Sequence, residues 1–490
     1  MATDGSSLWN LKSPLHNSSS PRDKEPIEVQ KVRKWQEERV AKKLRGDYEH
    51  AVMRLSDLLT ENMHSPLRIA SIKVLNAKNT RQSFLEWLIN PLKPSPTSSH
   101  DVESTLHTVR RVSDILNRAD IFKAVSVSIE RSKDELSRPE DVDLVFRTIE
   151  KGKYAVKTST EVGKGEVDAS VNALIHNVLG GAERLSLNVA YGTTTKKTFE
   201  GTFSAPLTPD LNTWADLSAY GLLRDHTSFA SCSEVARGVK ASVRHGAAFT
   251  GSHILAYEAV LRDIGNLSPS ASMSIRQSAG QTTKSSVSYT FIKDTRDDNL
   301  LGTRGHFTKI YQEIAGLGGD ASFYKVETEN HLSRQLAPGL TVSLSACSGL
   351  LWSLSQQSLF PDRFQLGGPS SLRSFRVNGL GPKDGPDSLG GDLYWAAGVR
   401  LISNLPTKPD WPVKTHVFLN AGRLDPIDQS RSLVDNIKNT ITKPSISAGV
   451  GLIYKFDPVR VELNFGLPLV ANRSDGTRKG VQVGLGLEFL

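Results

Sequence analysis

From Lys153 to the end of the chain, apolar and polar side chains alternate with a period of two. Leu185, Leu187, Val189 and Tyr191 alternate with Arg184, Ser186 and Asn188. Leu393, Trp395, Ala397, Val399 and Leu401 alternate with Asp392, Tyr394 and Arg400, and Val459, Val461, Leu463 and Phe465 alternate with Arg460, Glu462 and Asn464. Gly, Pro, Asn and Asp separate the runs, each about ten residues long. Sixteen runs start near 153, 166, 183, 197, 212, 235, 252, 285, 305, 320, 339, 391, 413, 445, 458 and 480. A period of two marks a β-strand whose faces meet different surroundings, because successive side chains point to opposite sides.

A soluble sandwich also alternates. Its strands average about five or six residues, however, and these runs are longer. An even number of strands in an unbroken meander closes up-and-down with no free edge. Gly, Thr, Ser and charged residues crowd one phase, as a wet lumen requires. The expected fold is an all-β transmembrane barrel of 16 antiparallel strands over residues 152–490. In hydrocarbon an unpaired backbone group is costly. The first strand (Lys153, Tyr154, Ala155, Val156, Lys157, Thr158, Ser159 and Thr160) must therefore pair with the last, Val481–Phe489. The first strand is poor in large apolar groups, so this seam is weak and able to open.

Ahead of the barrel, residues 61–151 read as a compact α+β unit. Arg68–Leu75 is a strand, and Arg81–Ile89 is a helix followed by a loop with Pro91, Pro94 and Pro96. Asp101–Asn117 is a second helix with Val102, Leu106, Val109, Val112 and Leu116 in a stripe. Ala124–Glu130 and Asp141–Ile149 are strands. Residues 1–60 form a separate segment, Ser-, Pro- and Asn-rich and disordered over 1–26. It becomes charged and helical from Ile27, as a linker or a partner-binding arm.

Composition narrows the function. Hydrophobic residues make up 38% of the 490, and no apolar stretch is long enough for a transmembrane helix, a criterion that barrels escape. The net charge of +8 is spread along the chain, which speaks against nucleic acid as a partner. Cys232 and Cys347 are too few for a disulfide framework or metal site and read as free thiols. No P-loop, Gly-x-Ser-x-Gly or His-Glu-x-x-His occurs. His176, His245, His253 and His306 lack metal spacing. Asp294, Asp297 and Asp298 read as a strand-end turn, and Gly316–Gly319 as a hairpin. Neither catalysis, a cofactor nor a metal is expected. Met1–Asn10 contains Asp4 and no apolar core, unlike a secretory signal. The expected destination is a mitochondrial or plastid outer membrane, reached from the cytosol.

One connection stands out. Between Ser353 and Gly391 lie Gly367, Gly368 and Pro369, then Ser371-Leu372-Arg373-Ser374-Phe375-Arg376, then Gly379, Gly381, Pro382, Gly385, Pro386, Gly390 and Gly391. A loop of this length usually has a task. It can fold into the lumen, with the guanidinium on inward polar groups and the Phe on the wall, or lie on the surface with incidental charges.

These features together resemble the outer-membrane protein 85 superfamily. Its hallmarks are POTRA domains ordered strand–helix–helix–strand–strand and an Arg-Gly-aromatic motif in the sixth external loop. The likeness covers about 66–490. It implies that 61–151 is a POTRA domain and that Leu372, Arg373, Ser374 and Phe375 form the loop-6 motif, with Ser374 in place of glycine. The family's loop Arg meets an Asp on strand 13; here that strand reads Val417-Phe418-Leu419-Asn420-Ala421-Gly422, so Asn420, with Gly422, is the candidate partner. A single POTRA unit and no bacterial signal resemble the mitochondrial, fungal-like branch, the central barrel of the sorting and assembly machinery (SAM complex). Gln482, Gly484, Leu487 and Phe489 follow that branch's C-terminal β-signal, polar-x-Gly-x-x-apolar-x-apolar.

The resemblance implies an insertase that folds β-barrel precursors into the mitochondrial outer membrane. A precursor's last strand would add to the first strand by β-augmentation, and hairpins would enter a lateral gate between the first and last strands. The POTRA domain would face the intermembrane space. The implied partners are β-barrel precursor proteins, accessory peripheral subunits of the SAM complex and outer-membrane lipid. A passive outer-membrane pore and a protein-import channel of plastid type remain as other readings.

Overall fold

The structure is a computed structural model. It describes residues 27–44, 53–54, 57–58, 60–93, 101–135, 137–138, 140–163, 166–298, 301–354, 358–405, 411–456 and 459–486. The segment expected to be disordered, 1–26, lies outside them. They fall into two compact units, one drawn from Met1–Ser71, Pro94–Val109 and Ile129–Leu144, the other from Ile72–Lys93, Arg110–Ser128 and Val145–Leu490. The sixteen-stranded sheet and its long loop lie in the second.

Helix α1 (Ile27–Leu44) precedes β1 (Arg68–Leu75), α2 (Gln82–Ile89), α3 (Val102–Arg118), β2 (Phe122–Arg131) and β3 (Asp141–Glu150). The three strands form a sheet ordered β1-β3-β2. Phe84, Leu85 and Leu88 of α2 are buried, as are Val109, Val112 and Leu116 of α3, the i, i+3, i+7 stripe of an amphipathic helix.

The rest follows the predicted meander. In chain order it comprises β4 (Tyr154–Gly163), β5 (Glu166–His176), β6 (Arg184–Gly192), β7 (Thr195–Pro206), β8 (Thr213–Asp225), β9 (Ser233–His245), β10 (Ser252–Gly265) and helix α4 (Met273–Gln277). Then come β11 (Gly280–Asp294), β12 (Gly305–Gly319), β13 (Phe323–Ala337), β14 (Leu340–Ser353) and the two-residue strands β15 (Lys383–Asp384) and β16 (Asp387–Ser388). The chain ends with β17 (Leu393–Asn404), β18 (Val413–Asp425), helix α5 (Leu433–Thr442), β19 (Ser445–Phe456), β20 (Val459–Val470) and β21 (Gly480–Gly486). All but the β15–β16 pair join one sheet of 16 strands in sequence order, each antiparallel to its neighbours. The largest displacement from the predicted starts is at β11, which begins at Gly280 rather than 285. Gly280-Gln281-Thr282-Thr283-Lys284 carries no apolar phase, so alternation could not reveal it.

The two faces are inverted relative to a soluble protein. Val399, Leu401, Val417, Leu419, Val450, Leu452, Leu463 and Phe465 are exposed, while Arg400, His416, Asn420, Ser447, Glu462 and Asn464 between them are buried. Burying charge while exposing leucine is favourable only if the exposed face meets hydrocarbon and the sheet curls round a polar interior. The fold is a transmembrane β-barrel. In the sheet order β4 and β21 occupy the two ends. The two end strands lie against one another. β4 is in register with β5 along its other side, from Tyr154↔Ile175 to Gly163↔Glu166.

Leu419→Arg places a charge at the centre of the outward face of β18. It should cost about 2–4 kcal/mol near the bilayer midplane, read from urea titration of folding into lipid vesicles. A cost near zero would reverse the assignment of faces.

Candidate functional site

The connection from β14 to β17 enters the barrel and touches both walls. On one wall, Asp362, in a single 3-10 turn at Phe360–Asp362, accepts two hydrogen bonds from Arg262 of β10, at 2.7 and 3.1 Å, with both side chains buried. This fork geometry suits a desolvated pair. The β15–β16 hairpin is held beside it. Asp387 accepts from Ser231 N (2.9 Å), Ser231 Oγ (2.7 Å) and Ser272 N (2.7 Å). Asp384 accepts from Ser274 N at 3.1 Å and Ser274 Oγ at 2.7 Å. Burial pushes the Asp387 carboxyl up, but hydrogen bonds from Ser231 and Ser272 outweigh it and hold the group below its ordinary range.

The loop tip reaches the opposite wall. Arg373 is fully buried and donates to Glu462 Oε2 of β20 through Nη2 at 2.8 Å and Nε at 3.3 Å. Its guanidinium carbon stands 5.0 Å from the Phe418 ring centroid, a cation–π contact in a desolvated place. Asn420 takes the amide orientation that its neighbours satisfy: Oδ1 accepts from Arg373 Nη1 at 3.2 Å and Nδ2 donates to the Leu419 carbonyl at 3.1 Å. Arg460 also donates to Glu462, and Arg400 Nη1 lies 3.5 Å from it. One carboxylate thus faces three guanidinium groups with almost no water.

Backbone contacts extend the attachment. Gln482 of β21 clamps the tip: its Oε1 accepts from Ser374 N at 2.8 Å and its Nε2 donates to the Phe375 carbonyl at 3.1 Å. Phe375 bridges Thr477, Arg376 N donates to Gly476 O at 2.8 Å, and Arg478 N donates to Ser374 O at 2.8 Å. The tip therefore adds a short strand to the β20–β21 turn. Leu372, Phe375 and Leu380 join Phe364, Leu366, Ala396 and Leu424 in one apolar cluster.

Ser374 has φ +68°, the left-handed region where glycine is at ease. A serine there costs about 1–2 kcal/mol. Its Oγ is buried and makes no hydrogen bond among the described residues. The opposing wall supplies the space: a Cβ at Gly466 would collide with Ser374 Oγ. A Cβ at Gly422 would meet Leu372 Cδ1 at 2.6 Å.

The structure thus brings Leu372, Arg373, Ser374, Phe375, Asn420 and Gly422 together. Asn420 meets Arg373 through a neutral hydrogen bond, and the charge partner, which the sequence left open, is Glu462. The inward phase Arg460, Glu462, Asn464 was the available signal, but alternation alone cannot say which strand the loop reaches. Gln482 has the further task of holding the tip, and Gly484 stands opposite Glu462 in the β20–β21 register. Leu487 and Phe489 lie outside the described residues. Tyr154 and Val156 are exposed at 73% and 69%, as expected of residues at one end of a sheet. Lys153 precedes β4, Ala155 is half-buried, and Lys157 and Thr158 are exposed. The side chains of Ser159 and Thr160 lie outside the described residues.

The described residues between β11 and β12 also reach inward, an arrangement that alternation does not signal. Asp298 pairs with Lys455 of β19, and Leu301 packs with Ile402 of β17 and Ile453 of β19. These residues therefore cross from the β11–β12 wall to the far wall.

Comparison with known proteins agrees with this geometry. The Omp85 superfamily domain matches residues 177–489. A SAM50-like protein of Schizosaccharomyces pombe is 35% identical over 451 residues, covering 90% of this chain and 95% of that one. The sorting and assembly machinery component 50 homolog of Homo sapiens is 33% identical over 384 residues, covering 76% and 81%. Among solved structures, BamA from Haemophilus ducreyi lacking POTRA domains 1–3 superposes with a TM-score of 0.71 at 16% identity, covering 86% of this chain and 84% of that one. That likeness is one of fold.

Two results should follow from the tip. Glu462→Ala leaves buried guanidinium groups without their carboxylate, at a cost of roughly 3–5 kcal/mol. The loop should detach, and trypsin should cleave after Arg373 and Arg376; resistance equal to wild type would refute the attachment. Gly466→Ala should loosen the tip in the same assay, and Ser374→Gly in the same chain should restore it. Losses that merely add would show that the two residues do not share the space.

Proposed function

The chain belongs to the Omp85 superfamily, and from that membership we propose that it is a β-barrel assembly factor of the mitochondrial outer membrane. In this reading it folds and inserts β-barrel precursors through a lateral gate between β4 and β21. Residues 61–151 are its POTRA domain and face the intermembrane space, 152–490 are the barrel, and 1–60 are a separate leading segment. Its partners are barrel precursors, accessory peripheral subunits of a SAM complex and outer-membrane lipid.

The observation that carries the reading is asymmetry at the seam. The buried loop tip is fastened to β20 and β21 through Glu462, Gln482 and Thr477. β4 stands at the other end of the sheet order, beside β21. The last strands are thereby tied to the interior, and in this reading the first strand opens from β21 to offer its edge to a client. The chemistry asked of that edge is backbone pairing. A precursor's C-terminal strand needs N–H and C=O partners in hydrocarbon, and β4 offers both in a row. Its exposed Tyr154 and Val156 would pack against alternate client side chains. No bond is hydrolysed, so the driving force is the client's own burial of apolar surface in lipid.

The β-signal residues fit the same picture. In sequence, Gln482, Gly484, Leu487 and Phe489 carry the pattern of the strand that a client presents, so in this reading the client competes with the chain's own last strand for one seam. A passive pore is the weaker reading, because the long loop and Asp298 both reach across the lumen. An import channel of plastid type differs from this reading in the clients it would arrest.

A radiolabelled porin precursor arrested on the purified complex should crosslink, through its last strand, to cysteines placed at 154–158. Crosslinks spread evenly over all strands, or arrest of matrix-targeted preproteins instead, would sink the gate. Arg373→Ala should slow precursor assembly with single-channel conductance little changed. Intact assembly with altered conductance would return the pore.

A further inference from the structure

Helix α5 stands between β18 and β19 and takes no part in the loop attachment. Ser432 caps it, with Oγ accepting from Asp435 N. Three hydrogen bonds join it to the wall, and their partners on the wall lie on the outward side. Trp395 Nε1 donates to the Thr440 carbonyl at 3.1 Å, Thr440 Oγ1 donates to Asp425 at 3.0 Å, and Arg423 Nη1 donates to the Lys443 carbonyl at 3.3 Å. On β17 and β18 the inward phase is Ala396, Arg400 and Ile402, and His416, Asn420 and Leu424. Trp395, Arg423 and Asp425 belong to the opposite phase, shared with Val399, Leu401, Val417 and Leu419. The helix therefore lies outside the barrel, at the rim where the lipid-facing strands end. An outward tryptophan at that level is what a membrane–water interface selects.

The helix presents three sectors. At about 100° per residue, Asn436 and Thr440 form one sector; both are buried, and Thr440 carries the contacts to Trp395 and Asp425. Leu433, Ile437, Ile441 and Val434 fill an adjoining apolar arc of roughly 100°. Asp435, Lys438, Asn439 and Thr442 cover the remainder. Val434 and Ile441 are exposed at 57% and 56%. The apolar arc is thus next to the wall, on the opposite side of the helix from Asp435 and Asn439.

We infer that α5 is an interfacial anchor. It lies in the headgroup layer against the outer wall of β17–β18, with Val434, Ile437 and Ile441 in the upper acyl region and Asp435 and Asn439 in water. The occupant of its apolar face is lipid: Val434 and Ile441 are exposed beside a wall whose outward phase, Val399, Leu401, Val417 and Leu419, is itself exposed and apolar. The polar contacts have a matching reason: Trp395, Asp425 and Arg423 supply directed hydrogen bonds that fix the roll of a short helix, which ordering by lipid alone would leave loose. The inference rests on the barrel and not on the assembly role, so a failure of the precursor crosslink leaves it standing.

The test uses the full-length chain with Cys232→Ala and Cys347→Ser, reconstituted in nanodiscs of phosphatidylcholine and phosphatidylethanolamine. A nitroxide is attached to a single cysteine at 434, 435, 439 or 441, and folding of each sample is checked by gel mobility without boiling. The ratio of collision rates with oxygen and with a water-soluble nickel chelate should be several-fold higher at 434 and 441 than at 435 and 439. Equal ratios at all four positions would place the helix in water and overturn the inference. Low rates with both reagents at 434 and 441 would show protein covering the face and overturn it equally.

Discussion

Hydrocarbon offers a peptide group no partner, so each strand that crosses it must place its N–H and C=O groups on a neighbouring strand. That constraint orders the structure. It converts sixteen alternating segments into one continuous ladder from β4 to β21. It also makes the two strands at the ends of that order the most consequential ones. A client strand arriving in the membrane carries the same unmet need, and in the proposed function the chain works by lending it an edge.

The interior answers a second problem, the cost of burying charge. Arg373 carries a full charge to a place without water, and it is stable there because Glu462, Asn420 and the Phe418 ring meet each part of the guanidinium. The loop cannot slide with such an anchor at its tip and Asp362–Arg262 on the other wall. It acts as a tie between β10 and β20–β21 rather than as a plug. Ser374 shows how closely the tie is fitted. Serine occupies a left-handed backbone position, and Gly466 opposite gives up its side chain to make room.

The outer surface obeys the first constraint in another way. Its apolar residues need no protein partner because lipid provides one, which is why Leu419 and Phe465 are exposed while Glu462 is fully buried. In the inference drawn above, helix α5 extends that logic to the rim, where a short amphipathic element sets its apolar side chains in the upper acyl region and its polar ones in water.

Much of this was legible in the chain alone. Period-two alternation is local, so it gave the strand count, nearly every strand start and the assignment of faces before any contact was known. The length and glycine content of the segment around Arg373 marked it as the working loop. What alternation cannot contain is distance across the curled sheet. Arg373 and Glu462 are 89 residues apart in sequence, and only the curvature of the wall decides that the carboxylate comes from β20 beside Asn420 of β18. Asp298 looked like part of an ordinary acidic turn until the fold set Lys455 across from it. Residue pattern determined which side chains face the lumen and which face lipid; tertiary structure alone decided which of the inward ones meet, because meeting depends on the closure of the whole sheet and not on any segment of it.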